Sequence, residues 1–143
     1  MATVLTQQPL YTRDILRLAA SIPGQRTFSE IADVPTLRSE TCGSRAAVRV
    51  TLDGQGRVAT IEQAVEACAF GQAAAALVGA GAIGMTGAEA RESLAGVERW
   101  LDGSMDEPWP GLDALATARL RRGRRGAILL PFRALVAAIE NAR

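Results

Sequence analysis

Val48, Val50 and Leu52 alternate with Arg49 and Thr51, and an extended, partly alternating pattern resumes from Val58 to Val65. Between them stands Asp53-Gly54-Gln55-Gly56. Alternation of period two marks a strand with one buried face, and a glycine-containing turn between two such runs makes a β-hairpin. With residues 53–56 as the loop, Leu52 faces Arg57, Val50 faces Ala59, Val48 faces Ile61 and Ser44 faces Val65. One face then carries Val48, Val50, Leu52, Ala59, Ile61 and Val65. The other carries Arg45, Arg49, Thr51, Thr60 and Glu62, the division that a sheet packed on one side requires.

The remaining periodicity is helical. Tyr11, Ile15, Leu18, Ala19 and Ile22 recur at helix spacing before Pro23-Gly24, which predicts a first helix of roughly three turns. Residues 25–40 are turn-rich, with at most a short strand near Leu37. The Ala-rich run Phe70 to Val78 reads as a buried helix whose N-terminus lies at Cys68. Thr86-Gly87-Ala88-Glu89 fits a capping box, with Leu94, Val97, Trp100 and Leu101 as the apolar stripe that follows. Residues 103–110 form a linker-like loop with two prolines, and Leu112 and Leu115 sit on a short helical turn. Pro131 is expected near the first turn of a last helix that buries Phe132, Leu135, Val136 and Ile139. Strands first and helices afterwards, without βαβ alternation, predict an α+β fold: a small antiparallel sheet of about three strands packed against several helices.

Composition narrows the chemistry. At 143 residues and 48% hydrophobic content, the chain is one domain's worth, read as residues 1–143. It has 16 basic and 15 acidic residues, no histidine, and arginine at every basic position. This excludes a Schiff-base or P-loop lysine, a Ser-His or Cys-His pair, and any histidine metal ligand. Near-neutral charge gives no global field for nucleic acid or an anionic membrane. No secretory leader pattern or membrane-length apolar run is evident, so the expected location is the cytoplasm. Two cysteines in a reducing compartment read as thiols, redox groups or ligands before a disulfide.

Carried to its open end, the hairpin register sets Cys42 opposite Ala67 and next to Cys68, within ~5–8 Å on cross-strand spacing. A thiol at the start of the Ala-rich helix also feels the positive end of its dipole, which favours the thiolate. The alternative is that both cysteines are small buried side chains held by packing. Three further features raise their own questions. Arg119 to Arg125 carries five arginines, and Arg121, Arg122, Arg124 and Arg125 form either a docking patch for phosphate, an acidic partner or RNA, or a solvated loop. Few aromatic residues are available to stack bases, which disfavours nucleic acid. Gly79-Ala80-Gly81-Ala82-Ile83-Gly84 matches GxGxxG, with Asp102 about twenty residues on, as a dinucleotide site would ask. The preceding GQAAAALV is poor strand material, so glycines leaving a helix explain the match better.

The order of these parts resembles the U-type iron–sulfur cluster assembly scaffolds, whose members include IscU, SufU and the N-terminal domain of NifU. The resemblance rests on the first helix, Cys42-Gly43 before a hairpin with an Asp-Gly turn, Cys68 before a small-residue helix, and RRGAILLPFRAL leading into the last helix. It runs from Tyr11 to about Ala142, and WPGLDAL looks more like the SufU branch. It implies a fold of the SufE/NifU kind, a scaffold or sulfur carrier in place of an enzyme, a nascent Fe–S cluster, zinc or persulfide as cargo, and a cysteine desulfurase and Fe–S acceptor proteins as partners. The family's site has three cysteines and an aspartate. Cys42 and Cys68 match the first two cysteines, but Ser44 stands at the aspartate position and Gly126 at the third cysteine. A domain keeping this fold without the chemistry would serve instead as a regulatory or interaction module.

Overall fold

A computed structural model describes residues 11–40 and 43–143. Its elements in chain order are α1 (Arg13–Ala19), β1 (Leu37–Arg38), β2 (Arg45–Leu52), β3 (Val58–Glu66), α2 (Ala69–Gly81) and α3 (Gly87–Leu101). Two 3-10 segments (Leu112–Leu120 and Arg122–Arg124) and α4 (Arg125–Asn141) complete them. The three strands form one antiparallel sheet in the order β1-β2-β3. This is the α+β arrangement that the patterning implies.

The hairpin forms where expected, but its register is moved by two residues. Gly56 sits at φ 76° and its N–H bonds to Asp53 O at 3.1 Å, while Asp53 N bonds to Arg57 O at 2.8 Å. The loop is therefore three residues long, a type I turn closed by a left-handed glycine. The Asp53 carboxylate accepts from Gln55 N and Arg57 N, which fixes the turn and holds the carboxyl below its ordinary value. Leu52 faces Val58, and the register then shifts, so that Thr51 faces Thr60 and Ala59 is the extra residue of a β-bulge. From there Val50 faces Ile61, Val48 faces Gln63 and Arg45 faces Glu66. Beyond the bulge this even displacement leaves the faces unchanged, but at the start of β3 Val58 takes the buried position expected for Ala59, which is exposed. Val48 and Val50 remain on the core side, while Arg49 and Thr51 pair with Glu62 and Thr60 on the other.

That second face is not fully open to water. Ala47 and Ala64 are buried under Ile31, with Phe28 and Val34 beside it. Arg49 adds a fork, 2.9 Å from Glu62 and 2.6 Å from Asp33. The shared guanidinium holds the Glu62 carboxyl below its ordinary value.

Helix boundaries differ from the periodic reading at two places. α1 makes two turns because Ser21 N already bonds to Leu18 O, and Pro23 disfavours helical backbone at Ile22. Ile22 is still buried, against Ala75 and Ala76. At the other end, α4 begins at Arg125, so Pro131 lies inside the helix and not in its first turn. Proline there removes the donor that would bond to Ala127 O, and that oxygen lies against the first turn of α2 at Gly71.

The 3-10 segment is longer than the turn expected around Leu112. Its buried residues Leu112, Leu115 and Ala118 are spaced by three, which suits three residues per turn and would drift off one face of an α-helix. The loop before it is anchored by Trp109. The indole is buried, donates to Leu77 O at 2.8 Å, and meets Phe132 edge-on at 5.1 Å. α3 carries the full capping box, in which Glu89 N donates to Thr86 Oγ1 and Thr86 N donates to the Glu89 carboxylate. α2 is central, buried along most of its length between the sheet, α1 and α4.

Candidate thiol site

Cys68 is the N-cap of α2, with extended backbone (φ −65°, ψ 172°) and no capping bond from its sulfur. Its carbonyl accepts from Gln72 N at 3.0 Å, and Gln72 Nε2 reaches back to Ala67 O at 3.1 Å. The thiol is free, half-buried, and packed against the main core, where the neighbouring Phe70 meets Tyr11 at 5.1 Å between ring centroids. The expected helix start at Cys68 is thus the observed one.

Three of the four positions singled out in the sequence fall at one end of the molecule. Arg45 pairs with Glu66, so Ser44, the residue before Arg45, is brought to the strand end that leads through Ala67 to Cys68. Gly71, in the first turn of α2, packs on Ala127, in the first turn of α4. A Cβ on Gly71 would stand 3.2 Å from Ala127 O. Gly126 precedes Ala127, so the starts of α2 and α4 and the start of β2 converge. Cys42 lies outside the described residues. Among the described residues the pairing of these strands ends at Arg45–Glu66.

Ser44 is buried at 4% exposure, and its carbonyl accepts from Ser39 N at 2.8 Å, which closes the β1–β2 connection. Gly126 is half-buried near the start of α4 and offers backbone only. Charge beside the site comes from Arg45, 3.1 Å from Glu66 and 4.0 Å above the Phe28 ring. The Arg45 hydrogen bond, with its charge and a contribution from Arg38, holds the Glu66 carboxyl below its ordinary value. Among the described residues no group of three or more Cys, His, Asp or Glu is placed to hold a metal. No helix among them is long and apolar enough to cross a membrane.

The arginine-rich segment divides in two. Arg119 is tied down, 4.7 Å above Trp100 and donating to Ser104 O, and Arg125 pairs with Asp102 at 2.7 Å and reaches Glu98 O. Arg121 and Arg122 are exposed and Arg124 half-buried. The glycine-rich run is the end of α2 and not a strand-to-helix turn. Gly81 lies against Trp109 and Gly79 against Gln63 and Pro23. Asp102, the would-be ribose partner, caps α3 and holds Arg125. Sequence reading missed Gln63, which is fully buried and bonds Pro23 O and Ala75 O. It also missed the exposed Leu120 amid the arginines. Alternation sets Gln63 on the core face with Ile61 and Val65, a signal that could have found it.

Solved structures share this architecture. An N-terminal domain of a nitrogen-fixing NifU-like protein from Brucella abortus matches with a TM-score of 0.80 and 27% identity over 93% of this chain and 94% of that one. A protein named for iron–sulfur cluster assembly scaffolding in the SUF system of Fervidobacterium islandicum AW-1 matches at 0.73 and 19% identity, over 91% and 96%. A hypothetical protein matches at 0.70 and 20% identity, over 92% and 97%. No protein-family model and no curated protein matches the chain. The chain therefore resembles the U-type scaffolds over more than nine-tenths of its length, as the order of its sequence motifs implied.

Proposed function

We propose that this chain is a scaffold-like member of the U-type fold that handles sulfur through Cys42 and Cys68. The observation that carries the reading is the near end-to-end likeness to the NifU-like domain, with Cys68 at the head of the helix that the motif order assigned to it. The donor set does not fit a metal held by this chain alone. Two thiolates make half a tetrahedral shell, a hydroxyl at Ser44 is a poor ligand for a divalent ion, and Gly126 has no side chain. A cluster or zinc as cargo would draw its other ligands from a second subunit, a partner or a small thiol.

Sulfur transfer needs less. A thiolate of this chain attacks the outer sulfur of a donor persulfide, a new S–S bond forms, the donor's S–S bond breaks, and the donor thiolate leaves with the electron pair. The product is a persulfide here, ready for the reverse step onto an acceptor. The donor in this reading is a cysteine desulfurase and the acceptor an Fe–S protein, as the scaffold likeness suggests, and the chain turns over no substrate of its own.

Anaerobic incubation with a desulfurase, cysteine and iron, followed by sulfane-sulfur and metal analysis, tests this. Wild type should gain labile sulfur, and Cys42→Ser and Cys68→Ser should each lose most of it. If neither sulfur nor metal is retained under any condition, the second reading stands: an interaction module that keeps the fold without the cargo. The replaced ligand positions at Ser44 and Gly126 favour that second reading over a nucleotide-binding one, since the glycines at 79 and 81 are occupied by packing.

A further inference from the structure

A cavity of about 500 Å³ opens between the C-terminal end of α3 and the 3-10 segments. Its floor is apolar, from Leu101 and Ala118, and its rim is cationic, from Arg119, Arg121, Arg122 and Arg125. Two of these guanidinium groups are spent within the fold, Arg119 on Trp100 and Ser104 O, and Arg125 on Asp102 and Glu98 O. Among the described residues Arg121, Arg122 and Arg124 enter no ion pair, and Asp102 is the one carboxylate lining the cavity. Between the held and the unpaired arginines projects Leu120, 89% exposed. Leu120 thus offers one aliphatic contact set directly among the cations of the rim.

We propose that this cavity docks an acidic segment of a partner protein that carries an apolar side chain for Leu120. Charge complementarity selects the acid, because guanidinium forks pair bidentately with carboxylates, and the rim keeps two uncommitted forks, Arg121 and Arg122. Leu120 selects a protein over a simple anion, which would leave the aliphatic group wet. Nucleic acid fits less well, since Trp100, the aromatic ring beside the patch, is buried and already covered by Arg119. The fixed arginines Arg119 and Arg125 hold the segment in shape, so the free ones project from a braced surface. The proposal is independent of what the thiols carry.

The test is fluorescence anisotropy with a labelled peptide of glutamates interrupted by leucines. Wild type should bind it, and more weakly as salt rises. Arg121→Glu with Arg122→Glu should cost at least about tenfold in affinity. Leu120→Ser should cost roughly threefold to tenfold while leaving the salt dependence unchanged. All three residues are exposed, so melting temperatures should stay at the wild-type value and report that the fold is intact. Absence of peptide binding, or equal binding by the charge-reversed variant, overturns the proposal. So does displacement by inorganic phosphate at low concentration, or tighter binding of an RNA oligonucleotide that ignores Leu120→Ser.

Discussion

Gly81→Ala separates a packing role for the glycine-rich run from a ligand-binding one. Gly81 is the last residue of α2, and in a helix alanine is favoured over glycine by about 1 kcal/mol, so propensity alone predicts stabilisation. Packing opposes it. A Cβ here would stand 2.8 Å from Trp109 Cζ2, 2.9 Å from Cε2 and 3.0 Å from Nε1, inside any normal carbon contact. The indole cannot yield freely. It is buried, its N–H is committed to Leu77 O at 2.8 Å, and Phe132 blocks its edge at 5.1 Å. Overpacking of this kind costs about 1–3 kcal/mol, and loosening the indole hydrogen bond adds about 1 kcal/mol. Net of the propensity gain, the variant should lose about 1–3 kcal/mol, or about 4–12 °C in melting temperature for a chain of this size. Gly123→Ala, where a Cβ meets nothing within 4 Å, is the control and should change stability by less than about 0.5 kcal/mol. Thermal melts followed by tryptophan fluorescence decide it. A Gly81→Ala protein as stable as wild type, yet without a thermal shift on NAD that wild type displays, would refute the packing argument and revive the nucleotide reading.

Three further outcomes follow from the packing and the charges. Thr86→Ala removes the hydroxyl that caps Glu89 N and should lower stability by about 1 kcal/mol in urea titration. Gln63→Ala leaves Pro23 O without its partner and opens a hole beneath α2, while it also removes the buried Gln63 Oε1 that has no partner among the described residues, for a net loss of about 1–2 kcal/mol; an unchanged urea midpoint would mean that the two effects cancel. Glu62, Glu66, Glu89 and Asp53 are all held below their ordinary values, chiefly by hydrogen bonds from Arg49, Arg45, Thr86 N and Arg57 N respectively. The folded state then binds fewer protons than the unfolded one, so their stabilisation is present above the ordinary glutamate value of 4.5 and is lost as pH falls through the depressed folded values. Glu62→Gln should make that acid limb shallower, and an identical limb would rule out the Arg49 fork as a contributor.

Much of this fold was legible because its signals are local. Alternation placed β2 and β3, a capping box placed α3, and the small-residue run placed α2 to within three residues at its end. The hairpin register failed by one residue at the loop, where Asp53 pairs with Arg57, and by one at the bulge, which has no periodic signature: Ala59 is as compatible with a regular strand as with an extra residue. The short α1 and the early start of α4 failed for a different reason. Apolar spacing persists through Ile22 because that residue is buried without being helical, and Pro131 looks like a helix start although six helical residues precede it. Trp109 and Gln63 were illegible since each is defined by a carbonyl on α2, far away in sequence. For the site, Cys68 followed from the helix boundary, whereas the division of the arginines into braced and unpaired depends on Asp102, Glu98, Trp100 and Ser104, which only tertiary structure brings to them.

The scaffold resemblance assigns Ser44 and Gly126 to ligand positions, and on that reading electrostatics couples the two. Ser44 is 4% exposed, and a carboxylate at such a position is tolerated when a cation or a set of donors compensates it, since an unpaired buried charge is expensive. With glycine at position 126, this chain lacks the third thiol that would help fix a cation there. A hydroxyl is then the less costly side chain to bury at position 44. Ser44→Asp alone should therefore destabilise the protein by about 2 kcal/mol or more at neutral pH, and less at low pH where the acid is protonated. Gly126→Cys alone should be close to neutral or slightly stabilising, because glycine near the start of α4 gives way to a residue with better helix propensity. Together, in the presence of zinc, the two changes should be far better tolerated than the sum of the single ones, with about one zinc retained per chain after desalting. Zinc analysis and melts with and without chelator measure both. A double variant that melts at the sum of its single losses and holds no zinc would mean that Ser44 and Gly126 do not share a site with the two cysteines.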